Sequence, residues 1–320
     1  MYTNGVLEIY LVYRILITDG FKFNIQIKVY KEDLQMYNSK LLKGVVDLHV
    51  HSAPDVRERR FTDFELLEAG IAAGAKAIVI KSHHGTTMNR AFLANEYNKI
   101  VHQGSNDFAM YGSVTLNEVI GGLNPVAVEI GAKMGAKVVW LPTVSSANHQ
   151  RQYGKSGGIE CLESGKPVKV LENIFKLIKE HDLVLGTGHL SPKEIFPIVD
   201  LARNMGLEKI VVTHPEFWVV GMSLEDQIKI VKEYDVYLER CYAQPLGGGE
   251  YKSNLADNLD VIKEVGYKNI IVNTDGGQVE NPAWQDAFAE YMNYLLDNGI
   301  SQEQVDVMAK ETPAKLLGIK

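Results

Sequence analysis

Nine histidines are spread along this chain, and six of them stand at or just beyond the ends of short apolar runs. His49 and His51 lie in GVVDLHVHSAP, His83 and His84 in AIVIKSHHG, His189 in LVLGTGHLSPKE and His214 in KIVVTHPEF; only His102, His149 and His181 lie elsewhere. Asp275 follows another such run, IIVNTDGGQ. Successive side chains of a strand point to opposite faces, so Asp47, His49 and His51 share one face, and two imidazoles there can reach one metal ion. The same period puts Lys81 and His83 on one face and His84 on the other. Nitrogen and oxygen donors of this kind suit one or two divalent ions, Zn2+ first, with Mn2+, Fe2+ or Ni2+ as alternatives. A carboxylate at Asp275 can hold an ion and also take a proton from water bound to it. Each residue has a plainer reading on its own. A strand-end histidine is often packed core, Asp275 before two glycines is a common turn residue, and Lys81 could be a surface cation. Six histidines at strand ends are harder to explain as packing.

Other polar residues near these ends are candidates for substrate. Arg57, Arg59 and Arg60 follow the first run and could grip the carboxylate or phosphate of an anionic small molecule, or form a solvated loop; Arg57 and Arg60 are the expected contacts. Glu239, in VYLERC, reads as a metal ligand, a substrate contact or an arginine partner. Asn117 and Asn124 flank Gly121-Gly122 and could bond substrate, although turns and helix caps use asparagine in the same way. Asp47 either backs an imidazole or is a satisfied buried carboxylate.

Eight elements must position these residues. β-rich apolar runs fall at 44–50, 76–81, 107–114, 137–142, 183–187, 208–213, 235–240 and 269–274, with helical patterns between them. Thr62-Asp63-Phe64-Glu65 and Ser191-Pro192-Lys193-Glu194 read as capping boxes, and Ser301 starts a closing helix over 301–316. Strands alternating with helices imply parallel βαβ units. About eight of them predict a (β/α)8 TIM-type barrel, whose chemistry collects at the strand C-terminal ends. A doubly wound sheet is the runner-up, but its Gly-rich phosphate turn is missing after the first strand. The loop 145–167 is long enough for a lid and ends in a small hairpin turning at Glu163-Ser164-Gly165. Residues 1–43 differ from the rest: Leu7–Thr18 and Phe21–Tyr30 around Thr18-Asp19-Gly20 predict a β-hairpin, followed by a turn or short helix to Leu42. The expected division is therefore 1–43, a β-hairpin extension that reads as an oligomer contact, a small sheet covering one end of the main domain or an appendage with no part in chemistry, and 44–320, the barrel.

Composition narrows the partners. The formal net charge is −7 with no basic block, which argues against nucleic acid. Two distant cysteines, Cys161 and Cys241, fit a reducing compartment without disulfides. No run approaches the roughly 18 apolar residues of a membrane span. A cytoplasmic homo-oligomer acting on a small molecule is expected.

HxH after the first strand, histidines after the fifth and sixth and an aspartate after the eighth resemble the amidohydrolase superfamily of metal-dependent hydrolases. MAKETPAKLLGIK is similar to that superfamily's closing segment, so the resemblance spans Gly44 to Lys320. It implies that His49, His51 and Asp275 hold a first metal. His189 and His214 would hold a second, or one of them would contact substrate, in the cleavage of a C–N or C–O bond such as an amide or lactone. The superfamily's bridging carboxylated lysine or glutamate comes from strand four, where KVVWLPT offers neither; Lys81, as a carboxylated lysine, and His83 stand nearest to that role. DLHVHS also resembles the opening motif of PHP-type phosphoesterases, with His83 in place of their second motif, but the C-terminal TDGG and PAKLLG fit those distorted, three-metal barrels less well.

Overall fold

The computed structural model describes residues 10–14, 24–28 and 39–319. The chain forms two compact units, Met1–Asn38 and Ser39–Lys320. In the first, β1 (Tyr10–Arg14) and β2 (Asn24–Lys28) pair antiparallel, Tyr10 opposite Lys28. The turn expected at Thr18-Asp19-Gly20 lies outside the described residues, as do residues 31–38.

The second unit opens with α1 (Ser39–Leu42) and alternates strand with helix. Its elements are β3 (Val46–Val50), α2 (Asp63–Ala73), β4 (Ala77–Ile80), α3 (Met88–His102), β5 (Ala109–Thr115), α4 (Pro125–Lys133) and β6 (Ala136–Trp140). The long loop after β6 holds α5 (Ala147–Gln152) and a two-residue hairpin, β7 (Leu162–Glu163) with β8 (Lys166–Pro167). Then come α6 (Val170–Glu180), β9 (Val184–Gly186), α7 (Pro192–Asn204), β10 (Ile210–Val212), α8 (Leu224–Tyr234) and β11 (Tyr237–Cys241). A second hairpin, β12 (Ala243–Gly247) with β13 (Glu250–Ser253), precedes α9 (Leu255–Val265), β14 (Ile270–Asn273) and α10 (Trp284–Asp297). The expected closing helix is α11 (Gln302–Asp306), a π-helical turn (Val307–Glu311) and α12 (Thr312–Leu317).

Eight strands form one parallel sheet in the order β3-β4-β5-β6-β9-β10-β11-β14. The sheet curls into a nearly closed (β/α)8 barrel. Both predicted capping boxes are present, Thr62 with Glu65 and Ser191 with Glu194, and satisfy amides that would otherwise be unpaired at the helix starts. One apolar cluster joins Val46, Ala77, Val138, Val184 and Val211 near the strand starts to Ala314, Leu316 and Leu317. The closing helix thus seals the end of the barrel opposite the histidines. No helix among the described residues is long and apolar enough to cross a membrane.

The barrel closes between β3 and β14 by an unusual seam. One parallel bridge, Val50 with Gly276, joins their ends, and His51 N–H donates to Gly276 O at 2.8 Å. Side chains do the rest. Asn273 Oδ1 accepts from Leu48 N–H (3.0 Å). Asp47 Oδ2 accepts from Thr274 N–H, Thr274 Oγ1 and Trp284 Nε1 at 3.2, 2.7 and 2.9 Å. The register of β3 against β4 shifts between Asp47 and Val50. The strict alternation expected of this strand is therefore corrected: Asp47 serves the seam and backs no imidazole ring.

Candidate active site

At the C-terminal mouth of the barrel five imidazoles form a closed ring. Ring centroids are 5.3 Å apart for His49–His51, 4.8 Å for His51–His83, 5.6 Å for His83–His189, 5.0 Å for His189–His214 and 5.7 Å for His214–His49. Asp275 enters this ring from the end of β14. Its Oδ1 lies 3.0 Å from His49 Nε2 and 3.2 Å from His51 Nε2. Lys81 Nζ stands 2.8 Å from the same His49 Nε2 and 4.6 Å above the Trp140 ring. His84 is exposed.

Backbone turns aim these groups. His214 and Asp275 directly follow strand-end threonines with φ of 26° and 47°, a region seldom used by non-glycine residues and common at functional sites. Gly188 and Gly277 make the two tightest approaches to backbone atoms. A Cβ on Gly188 would lie 2.3 Å from Leu141 O, and one on Gly277 1.8 Å from His51 O. Only glycine lets the loops carrying His189 and Asp275 press so closely on their neighbours.

Glu239 is fully buried behind the ring. Its Oε1 lies 3.1 Å from His49 Nδ1 and accepts from Asn273 Nδ2 (2.7 Å), while Oε2 accepts from His214 N–H (3.2 Å). Glu239, expected as a substrate contact, here orients His49 and the His214 backbone. Asn117, expected likewise, is held within the protein. It is fully buried, donates to His83 O and Thr143 Oγ1, and accepts from Thr143 N–H and Ser145 N–H. Thr143 in turn lies 2.8 Å from His83 Nδ1. Asn124 caps α4. Arg57 donates to Glu280 (2.6 Å) and Arg60 to Val279 O (2.6 Å), so both tie the loop after β3 to the loop after β14. Arg59, not favoured from sequence, turns inward, buried and paired with Asp55 at 2.7 Å. The fourth strand of the barrel, β6, ends in Trp140, whose ring centroid lies 5.1 Å from that of His49.

Sequence reasoning missed His149 altogether. It lies in α5, and its Nδ1 is 2.8 Å from His189 Nδ1. The signal was there: Ser146 three residues earlier is a helix-cap residue, which would have turned the loop into a helix facing the mouth.

Charge at the site is uneven. Burial and Lys81 oppose a proton on His49, yet the Asp275 and Glu239 carboxylates raise it to about 9. Burial would raise Asp275, but His49 and His51 hold it well below the usual carboxylate range. Burial, reinforced by neighbouring positive charge, keeps His51, His83 and His189 well below the usual imidazole value and His214 down at about 3. Burial also lowers Lys81. Two carboxylates thus demand positive charge at a spot ringed by neutral imidazoles, and His51 Nδ1 and His214 Nδ1 are buried with no hydrogen-bond partner. The donor atoms of His49, His51 and Asp275 all lie within 4.8 Å of one another. This donor set fits a divalent cation. His49, Glu239 and Cys241 also converge, where burial and the Glu239 and Asp275 carboxylates drive the Cys241 thiol far up.

Solved structures share this fold. An amidohydrolase from Pseudomonas aeruginosa superposes with a TM-score of 0.61 at 12% identity, over 87% of this chain and 97% of that one. An enamidase described as a member of the amidohydrolase superfamily gives 0.52 at 13% identity, over 87% and 68%. A β-aspartyl dipeptidase from Fervidobacterium islandicum gives 0.53 at 14% identity, over 86% and 72%. At such identities the likeness is one of fold, the (β/α)8 barrel. No curated protein matches the sequence. The profile of a family described as "Family of unknown function (DUF6282)" matches residues 44–239.

Proposed function

This chain belongs to the DUF6282 family of unknown function, and we propose that it is a metal-dependent hydrolase cleaving a C–N or C–O bond, such as an amide or lactone, in a small molecule. The observation that carries this reading is the convergence of His49, His51 and Asp275 within a closed ring of five imidazoles. His49, His51 and Asp275 would hold one divalent ion, with Zn2+ the first choice, and His189 and His214 a second. Such an ion supplies Lewis acidity and lowers the pKa of water it binds to roughly 7. Asp275 is ionised and, at 16% side-chain exposure, open to the mouth, so it can accept a proton from the attacking water and return it to the leaving group. Glu239 holds His49 by Nδ1 and leaves Nε2 for the ion. As an ammonium Lys81 has no lone pair; a carbamate on its Nζ would offer the ion oxygen donors. A carbamate resonance from 13C-bicarbonate, lost in Lys81→Ala, would mark that form.

The test is metal analysis of the purified protein together with turnover of amide, lactone and phosphomonoester panels. We expect metal-dependent turnover of an amide or lactone that falls about 10²- to 10⁴-fold in Asp275→Asn. Phosphate release with three ions per chain would favour the phosphoesterase instead. Undiminished turnover after complete metal removal would overturn the proposal.

A further inference from the structure

The loop after β6 does more than pass over the mouth. Three side chains at the start of α5 converge on His189. Ser146 Oγ and Asn148 Nδ2 both donate to His189 O, at 3.2 and 3.0 Å, and Asn148 Nδ2 also donates to Val219 O at 2.8 Å. These bonds hold the backbone of His189. His149 addresses the ring instead: the two Nδ1 atoms are 2.8 Å apart, and the ring planes differ by 23°. Tyr153 stacks on His149 at 4.7 Å, and Trp218 meets Tyr153 at 5.1 Å.

One hydrogen lies between the two Nδ1 atoms. If it belongs to His189, that ring carries its lone pair on Nε2, the nitrogen left for the mouth. If it belongs to His149, a neutral His189 is protonated on Nε2 and can hold nothing there. Metal-bound histidines almost always donate their second ring N–H to an acceptor of this kind. We propose that His149 is a positioning residue that accepts the Nδ1–H of His189 and so fixes the tautomer whose Nε2 lone pair can hold a metal ion. The inference rests on the hydrolase reading in one respect, that His189 is a ligand. Ser146 and Asn148 already fix the position of His189, so the placement of its proton is what His149 alone supplies.

The test pairs His149→Phe, which keeps a ring against Tyr153 but removes the acceptor, with His149→Gln, which restores an acceptor. Two readouts are needed: the tautomer of His189 from 15N imidazole shifts in the metal-free full chain, and Zn2+ affinity by chelator competition. We expect wild-type His189 as the Nδ1–H tautomer and a loss of that preference in H149F. H149F should bind Zn2+ roughly 10- to 100-fold more weakly, and H149Q should recover most of the affinity. A wild-type His189 protonated on Nε2 would overturn the inference. So would an H149F protein that holds Zn2+ like wild type, or an H149Q protein as weak as H149F. Should H149F fail to fold, the wild-type tautomer and H149Q decide. If wild type takes up no Zn2+, the hydrolase reading falls, and the tautomer alone decides for or against His149.

Discussion

Asp47 and His49 stand two residues apart and have different partners. His49 faces Asp275, Glu239 and Lys81, whereas Asp47 is surrounded by donors: its carboxylate accepts from Thr274 twice, from Trp284 Nε1 and from His49 N–H. Burial pushes the Asp47 carboxyl up to about 6 against the pull of these donors, which leaves it ionised at neutral pH. Asp47→Asn would turn an NH2 group towards them. We expect a loss of about 2–4 kcal/mol of stability, read as a lower denaturant midpoint with an unchanged slope. The histidines and Asp275 were legible because strand ends mark themselves by composition. The partners of Asn117, Glu239 and His149 were not, because they arrive from other strands, and a single strand does not name its neighbours' hydrogen bonds.

Among the elements, the strands and helices were legible almost to their ends, since apolar period and caps are local signals. The shift of register in β3 and the short α5 were not, because both are set by packing against adjacent βα units. The stretch from β10 to β11 carries an ionisable group of its own. Burial raises the Glu216 carboxyl to about 7, with the Arg240 guanidinium 3.3 Å away pulling it back and Glu239 pushing it further; the buried Tyr291 hydroxyl shares this field. A carboxyl that holds its proton more tightly folded than unfolded stabilises most at low pH, and this contribution is lost as pH rises through about 7. Glu216→Gln removes the titration. Between pH 5 and 8 the wild type should therefore lose stability relative to E216Q, by up to about 3 kcal/mol, as read from paired melting curves. A constant difference across that range would sink the argument.

At the scale of the molecule, the eightfold alternation disclosed the barrel, and Ser301 its closing helix. How the barrel closes was hidden, because the seam depends on Asp47 and Asn273 meeting residues from the opposite end of the sequence. Asp47 and Thr274 are 227 residues apart. The expected ligands His49 and Asp275 straddle the same seam, so an ion held between them is also a removable cross-link. Ligand binding at 100 times Kd adds about 2.7 kcal/mol to the folded state, and chelation should lower the melting temperature by several degrees, with Zn2+ restoring it. Loading is then a check on assembly: a barrel whose first and last strands have not met cannot present both halves of the seat, so incompletely closed chains would stay empty as well as inactive.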